Sequence, residues 1–267
     1  MTKKLIAIDL DGTTLNAHSL ITKRTEAVLQ KAIAAGNVVS IATGRPYRMS
    51  AQFYQQLNLT SPMVNFNGAL VHLPNKEWAY EKELSIKKEI AFSILEQKQA
   101  LNLDFIAAEN RESFYVDRID GIEPQFFATD RILSANLMKN LSSDPTSLLL
   151  KTTHEYAATT SARLMSEFKD DIDVRTWGGP NAILEVVPKG VQKAIGVDII
   201  ARSLGIAQKD VIAFGDEHND VELLDYAGWG VAMKNGTDQL KSYANDITER
   251  TNDEDGLADY LESYLAL

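Results

Sequence analysis

Two carboxylates, Asp9 and Asp11, follow directly on the apolar run Leu5, Ile6, Ala7, Ile8 and precede Gly12 and Thr13. Acids this close repel one another unless a cation or a shared proton compensates them. The pair therefore predicts a metal, an acid/base couple, or both. Asp and Gly also favour turns, so a plain polar turn is the alternative. The apolar run reads as a strand of a parallel sheet buried on both faces. Ligands of open α/β sheets bind just beyond the carboxyl ends of such strands, where Asp9 and Asp11 would sit.

Such a tip needs neighbours, and the chain supplies them. Residues 22–35 read as a helix with Thr22 as N-cap and Gly36 as stop. A strand at 38–42 ends in Thr43-Gly44-Arg45-Pro46, and a helix at 46–57 opens on proline. A third strand at 63–66 ends at Asn67-Gly68, and this alternation indicates right-handed parallel crossovers. After Gly68 the texture changes. Extended arms are expected at 69–73 and 77–83, a helix at 86–101, strands at 103–108 and 113–117, and helical stretches through 140. A strand at 148–152, a helix at 155–168 and strands at 174–177 and 183–187 complete an α+β module inserted into the parallel one. Alternation resumes with helix 191–204, strand 211–214, helix 217–226, strand 229–231 and helices 237–244 and 254–265. The division expected is a Rossmann-like, doubly wound α/β core over 1–83 and 189–267, with an α+β cap domain over 84–188.

The strand tips share a chemistry. Besides Asp9 and Asp11, they carry Thr43-Gly44 and the run Gly215-Asp216-Glu217-His218-Asn219-Asp220, and Lys189 and Lys193 flank a helix start. Carboxylates, a hydroxyl, open amides and a lysine on one edge suit a hard divalent cation together with a phosphate. Composition agrees. The chain has no cysteine, which excludes disulfides and thiolate metal sites. Its net charge of −10 argues against nucleic acid or an anionic membrane as main partner. Only four apolar residues follow Lys3-Lys4, too few for a signal peptide, and no stretch has membrane-spanning length, so a cytoplasmic protein is expected.

The four blocks around Asp9, Thr43, Lys193 and Asp216 resemble, in order, the four signature motifs of the haloacid dehalogenase (HAD) superfamily. The size and place of the inserted module resemble the Cof-like members of subfamily IIB. The resemblance implies a Mg²⁺-dependent phosphatase of small phosphorylated metabolites, sugar phosphates first, working through an aspartyl-phosphate. It makes Asp9 the nucleophile and Asp11 the general acid and base. Asp9, the Asp11 main-chain carbonyl and Asp216 become metal ligands, with Asp220 in support. Thr43, with the Gly44 and Leu10 amides, becomes a phosphate-binding group. Lys193 neutralises the phosphate and screens Asp9 from Asp216, and Asn219 orients it. Ala194 stands where many Cof-like relatives have glycine. Related phosphomutases use the same motifs, and receiver domains also gather acids, a threonine and a lysine, but on about half this length.

Other residues have blander readings. Lys189 rivals Lys193 only by proximity. His18, His72, His154 and His218 lack metal-ligand spacing and read as surface or satisfied polar groups. Phe114, Tyr115, Phe126 and Phe127 read as cap core, Trp177-Gly178-Gly179-Pro180-Asn181 as a turn or a loop over the site, and 252–255 as a solvated helix start. Asn67 and Arg45 sit at the active edge and are candidate supporting residues near the substrate, although a tight turn would explain the one and an ion pair with an acid the other.

Overall fold

The computed structural model describes residues 2–111, 113–118, 136–176 and 182–267. The chain divides into two compact units, one of residues 1–45, 50–82 and 192–267, the other of 46–49 and 83–191. In chain order the first stretch holds β1 (Leu5–Ile8), α1 (Lys23–Ala34), β2 (Val38–Ile41), α2 (Tyr47–Gln56), β3 (Met63–Asn65), β4 (Leu70–His72) and β5 (Lys82–Glu83). The next holds α3 (Lys88–Glu96), β6 (Phe105–Glu109), β7 (Phe114–Val116), α4 (Leu137–Asn140), β8 (Ser147–Lys151), α5 (His154–Glu167), β9 (Ile172–Thr176) and β10 (Ile183–Pro188). The last holds α6 (Lys193–Ser203), β11 (Val211–Gly215), α7 (Val221–Tyr226), β12 (Trp229–Ala232), α8 (Asp238–Lys241), β13 (Asp246–Ile247) and α9 (Gly256–Leu265).

The first unit is built on a five-stranded parallel sheet in the order β13-β12-β11-β1-β2. All four β1 residues are fully buried, as an apolar strand with neighbours on both sides requires. The chain runs from β1 outward to β2, and after the insertion places β11, β12 and β13 on β1's other side. The tip of β1 is thus the point where strand order reverses, the usual ligand crevice of an open α/β sheet. Thr22 caps α1 as expected, accepting a hydrogen bond from the Thr25 amide at 3.0 Å.

The third strand departs from expectation. Instead of extending the parallel sheet, β3 pairs antiparallel with β4 and meets the end of β2 only through the bridge Ala42–Val64. Phe66, Asn67 and Gly68, with φ of 48°, 55° and 109°, turn the chain back on itself within three residues. Other bounds are shorter than expected. Only Lys82–Glu83 of the 77–83 arm is strand, α3 stops at Glu96, and 217–226 opens as a 3-10 turn at His218–Asp220 before α7. The short edge strand β13 lacks an apolar run and was not expected.

The second unit carries a five-stranded antiparallel sheet, β7-β6-β8-β10-β9. One face packs Ile106, Leu148, Leu150 and Leu184 against Ile90 and Ile94 of α3 and Leu164 of α5. The other gathers Phe105, Ala107, Phe114, Val116, Leu149 and Ile183. Phe114 and Tyr115 thus serve opposite faces, while Phe126, Phe127 and residues 177–181 lie outside the described residues.

Candidate active site

Asp9 leaves β1 still bound to the sheet, its amide donating to the Phe214 carbonyl at 3.2 Å. Its carboxylate is buried and accepts from the Lys193 ammonium at 2.7 Å. Lys193, at the first turn of α6 and 1% exposed, also donates to Asp220 at 2.7 Å. The other Asp220 oxygen accepts the Asp216 and Glu217 amides at 3.2 and 3.3 Å, pinning the loop after β11. Strands β1 and β11 and helix α6 therefore converge on one ammonium.

The segment after Asp9 winds tightly through Leu10–Thr14. Gly12 adopts φ +70°, and a Cβ there would fall 2.1 Å from an Asp216 oxygen, so a side chain at position 12 would collide with Asp216. Thr13 donates to Asp216 at 3.0 Å, Thr14 donates to the Asp9 carbonyl, and the Asn235 amide donates to the Gly12 carbonyl at 2.7 Å. Thr13 and Asn235 were not singled out by sequence. Thr13 follows an acid-rich turn, and Asn235-Gly236 is a turn signal, and neither carries a distinctive chemical type.

Asp11 points elsewhere. Its carboxylate is 58% exposed and takes two parallel hydrogen bonds from the Arg45 guanidinium, at 2.7 and 2.5 Å. Arg45 rests over the Phe53 ring, 5.6 Å from its centre. Thr43 is buried at the end of β2, its hydroxyl accepting from the Arg45 amide at 3.1 Å. Asn219 donates to the Asn67 side chain at 2.9 Å, linking the β11 loop to the turn after β3. Gly68 in that turn packs so closely on α6 that a Cβ would lie 2.2 Å from the Gln192 carbonyl. The turn thereby seats the helix that carries Lys193.

Of the two rival lysines, Lys189 pairs with Asp173 and belongs to the second unit. The histidines join no metal cluster among the described residues. His72 is buried and bonded to Asn65 at 2.9 Å, and His18 and His218 are exposed. The acidic run near 252–255 is not merely solvated. Asp253 accepts the Ala17 amide at 2.6 Å, Asn252 donates to the Leu15 carbonyl at 2.8 Å, and Asp255 accepts from Thr25 at 3.0 Å.

Electrostatics set the site's demand. Burial pushes the Asp9 carboxyl well above the usual aspartate value; Lys193 pulls it down, and Asp220, Asp216 and Asp11 push it further up. Burial and Asp220 push Asp216 up to about 7, against the Thr13 hydroxyl and Lys193. Lys193 is held above its ordinary value because Asp220 and Asp9 outweigh the burial that opposes its charge. Carboxylate oxygens of Asp9, Asp216 and Asp220 all lie within 4.8 Å of one another. Three acids sharing one ammonium leave a local excess of two negative charges if all are ionised. An oxygen-only donor set with that excess fits a hard divalent cation, with Asp216 and the Asp9 oxygen not bonded to Lys193 the carboxylate groups left after Lys193 and two backbone amides engage both oxygens of Asp220.

The family model for haloacid dehalogenase-like hydrolases matches residues 6–261. The chain is 37% identical over 265 residues to the 5-amino-6-(5-phospho-D-ribitylamino)uracil phosphatase YitU of Bacillus subtilis, covering 98% of each chain. Among solved structures it is similar to a haloacid dehalogenase-like hydrolase from Bacteroides thetaiotaomicron, with a TM-score of 0.85, 24% identity, and coverage of 98% of this chain and 100% of that one. The HAD subclass IIB sugar phosphatase BT4131 superposes with a TM-score of 0.82 at 22% identity, over 99% of this chain and 100% of that one.

Proposed function

Because this chain belongs to the haloacid dehalogenase-like hydrolases, we propose that it is a Mg²⁺-dependent phosphatase of small phosphorylated metabolites. Sugar and sugar-alcohol phosphates are the leading class. The relative from Bacillus subtilis, named for a phosphorylated ribityl chain joined to uracil, supports that class without fixing the substrate. Residues 84–188 act as the cap domain that selects it, and the rest as the catalytic core. Among the described residues no helix is long and apolar enough to cross a membrane, and a cytoplasmic location fits the proposed substrates.

The observation that carries the reading is the buried triangle of Asp9, Lys193 and Asp220 beside Asp216. Asp9 attacks phosphorus and takes up the phosphoryl group as an acyl phosphate. A carboxylate approaches a dianionic ester only where charge is screened. When bound, Mg²⁺ supplies that screening and polarises the phosphoryl oxygens, held by Asp9, Asp216 and the Asp11 carbonyl. Lys193 pulls the buried Asp9 toward its ionised form, against burial and the neighbouring acids, and neutralises the transferring group. Thr43 and the amides of Leu10 and Gly44 receive the phosphoryl oxygens. Asp11 gives its proton to the leaving oxygen and later takes one from the hydrolytic water. For that it must hold a proton or accept one, and so must leave the full embrace of Arg45 seen in this structure. Asn219 and Asn67 tie the β11 loop to the turn after β3, on which the start of α6 and Lys193 are seated.

The test is steady hydrolysis of p-nitrophenyl phosphate by the purified protein. Turnover is expected with Mg²⁺, is lost on chelation and returns on adding Mg²⁺ back. Asp9→Asn should lower kcat by at least about 10⁴-fold while keeping the circular dichroism of the wild type. Metal-independent turnover, or an active Asp9→Asn variant, contradicts the reading.

A further inference from the structure

The proposed chemistry leaves one contact beside the metal ligands without a role. The loop after β12, residues 233–237, touches both halves of the donor set. On one side the Thr237 amide donates to the Asp216 carbonyl at 2.9 Å, and Gly236 packs so closely that a Cβ there would lie 3.0 Å from the same oxygen. On the other, the Asn235 side-chain amide reaches the Gly12 carbonyl, one peptide beyond the Asp11 carbonyl. The loop is itself anchored, the Lys234 amide donating to the Thr248 hydroxyl at 2.9 Å. Thr13 joins the two strand tips through a side chain, whereas this loop joins their backbones.

The partners of Asn235 fix its orientation. The Asn252 main-chain N–H can only donate, and it lies 3.0 Å from Asn235 Oδ1. The Gly12 carbonyl can only accept, and it lies 2.7 Å from Nδ2. A side-chain amide serves both partners at once; a carboxylate or an alkyl group cannot. A hydrogen bond from an exposed side chain adds little to stability, because water replaces it. Its value is directional. Asp11 has φ −73° and ψ 126°, and Gly12 has φ 70° and ψ 0°, the central angles of a type II turn. Glycine takes either sign of φ with similar ease, so Gly12 permits this turn without fixing it. A donor on the Gly12 carbonyl, tied through its loop to the Asp216 backbone, supplies the constraint.

We propose that Asn235 is a positioning residue of the metal-donor set, holding the Asp11 main-chain carbonyl and the Asp216 carboxylate at the mutual placement a small cation requires. This rests on reading those groups as the Mg²⁺ ligands of a phosphatase. Mg²⁺ demands near-octahedral oxygen ligands at about 2.0–2.1 Å, whereas Ca²⁺ accepts a looser and more variable set. Slackening the turn should therefore penalise Mg²⁺ more than Ca²⁺.

Calorimetric titration of the metal-free protein with magnesium chloride and, separately, calcium chloride tests this. Position 235 is exposed and does not have a positive φ, so alanine fits it. Asn235→Ala should weaken Mg²⁺ binding at least about tenfold and Ca²⁺ binding by a smaller factor. The Mg²⁺ concentration for half-maximal hydrolysis of p-nitrophenyl phosphate should rise in parallel. Asn252→Ala removes a bond to the Leu15 carbonyl but keeps the N–H that orients Asn235, and should leave the ratio of Mg²⁺ to Ca²⁺ affinity unchanged. Equal weakening of both ions, unaltered Mg²⁺ binding, the same change of ratio in Asn252→Ala, or an unfolded Asn235→Ala protein overturns the positioning role. Ester turnover whose Mg²⁺ requirement ignores Asn235 overturns it too, and leaves the phosphatase reading intact. Mg²⁺ binding that depends on Asn235 in a protein that hydrolyses no ester upholds the positioning role and overturns the phosphatase reading instead. If the wild type binds no Mg²⁺, both fall.

Discussion

Lys193 is the residue on which the site's charge balance turns. It is fully buried between Asp9 and Asp220 at 2.7 Å from each, and removing it leaves two buried acids without a counter-ion. Breaking a buried pair in this way costs about 3–5 kcal/mol, so Lys193→Ala should lower the urea midpoint strongly as well as abolish turnover. A variant as stable as the wild type would deny the triangle its structural weight. Thr13 offers a finer test. Thr13→Val removes the hydroxyl donated to Asp216 and should raise the Mg²⁺ concentration for half-maximal rate while sparing the fold. An unmoved Mg²⁺ requirement would make that bond incidental. Asp9, Lys193, Asp216 and Asp220, which the structure brings together, could be picked out in the sequence because acids and lysines at strand tips are chemically conspicuous. Thr13, Asn235 and Asp253 could not, since their roles come from contacts 203 to 236 residues away.

At the scale of elements, the tight turn after β1 depends on the missing side chain of Gly12. Gly12→Ala must adopt a positive φ, costing about 1–2 kcal/mol, and must displace Asp216. Turnover should fall far more than stability; equal losses would mean the turn only supports the fold. In the second unit, Glu109 carries a pH signature. Its folded value is raised by burial, with Arg48 opposing. A raised acid favours folding while protonated, and that contribution fades as pH climbs through its folded value. Glu109→Gln should therefore gain stability relative to the wild type as pH rises above the ordinary glutamate value, read from urea midpoints. A constant difference would place Glu109 at an ordinary value. The parallel strands were legible because buried runs such as residues 5–8 have no competing pattern. The antiparallel turn of β3 onto β4 was not, because Asn67-Gly68 signals a turn without saying which strand lies beyond it. Nor was β13, two exposed residues paired only with β12.

For the whole molecule, the two units have separate apolar cores. Leu150 lies in the core of the second and Leu223 in that of the first. Leu150→Ala should cost about 2–5 kcal/mol and, in calorimetry, lower the melting of the second unit before the first. A single transition shifted as one would show the units to unfold together. The insertion could be read from the sequence as a change of texture after Gly68. The grouping of residues 46–49 with it could not, because three of those four residues open a helix that otherwise belongs to the first unit.

The central claim is that Asp9 carries the phosphoryl group. Quenching the enzyme during turnover with Mg²⁺ and a phosphate ester, reducing any acyl phosphate with borohydride, and mapping peptides by mass spectrometry tests it directly. The account predicts homoserine at position 9, absent when Mg²⁺ or the ester is withheld. Steady turnover with an unmodified Asp9, or with the reduced residue elsewhere in the chain, would contradict it.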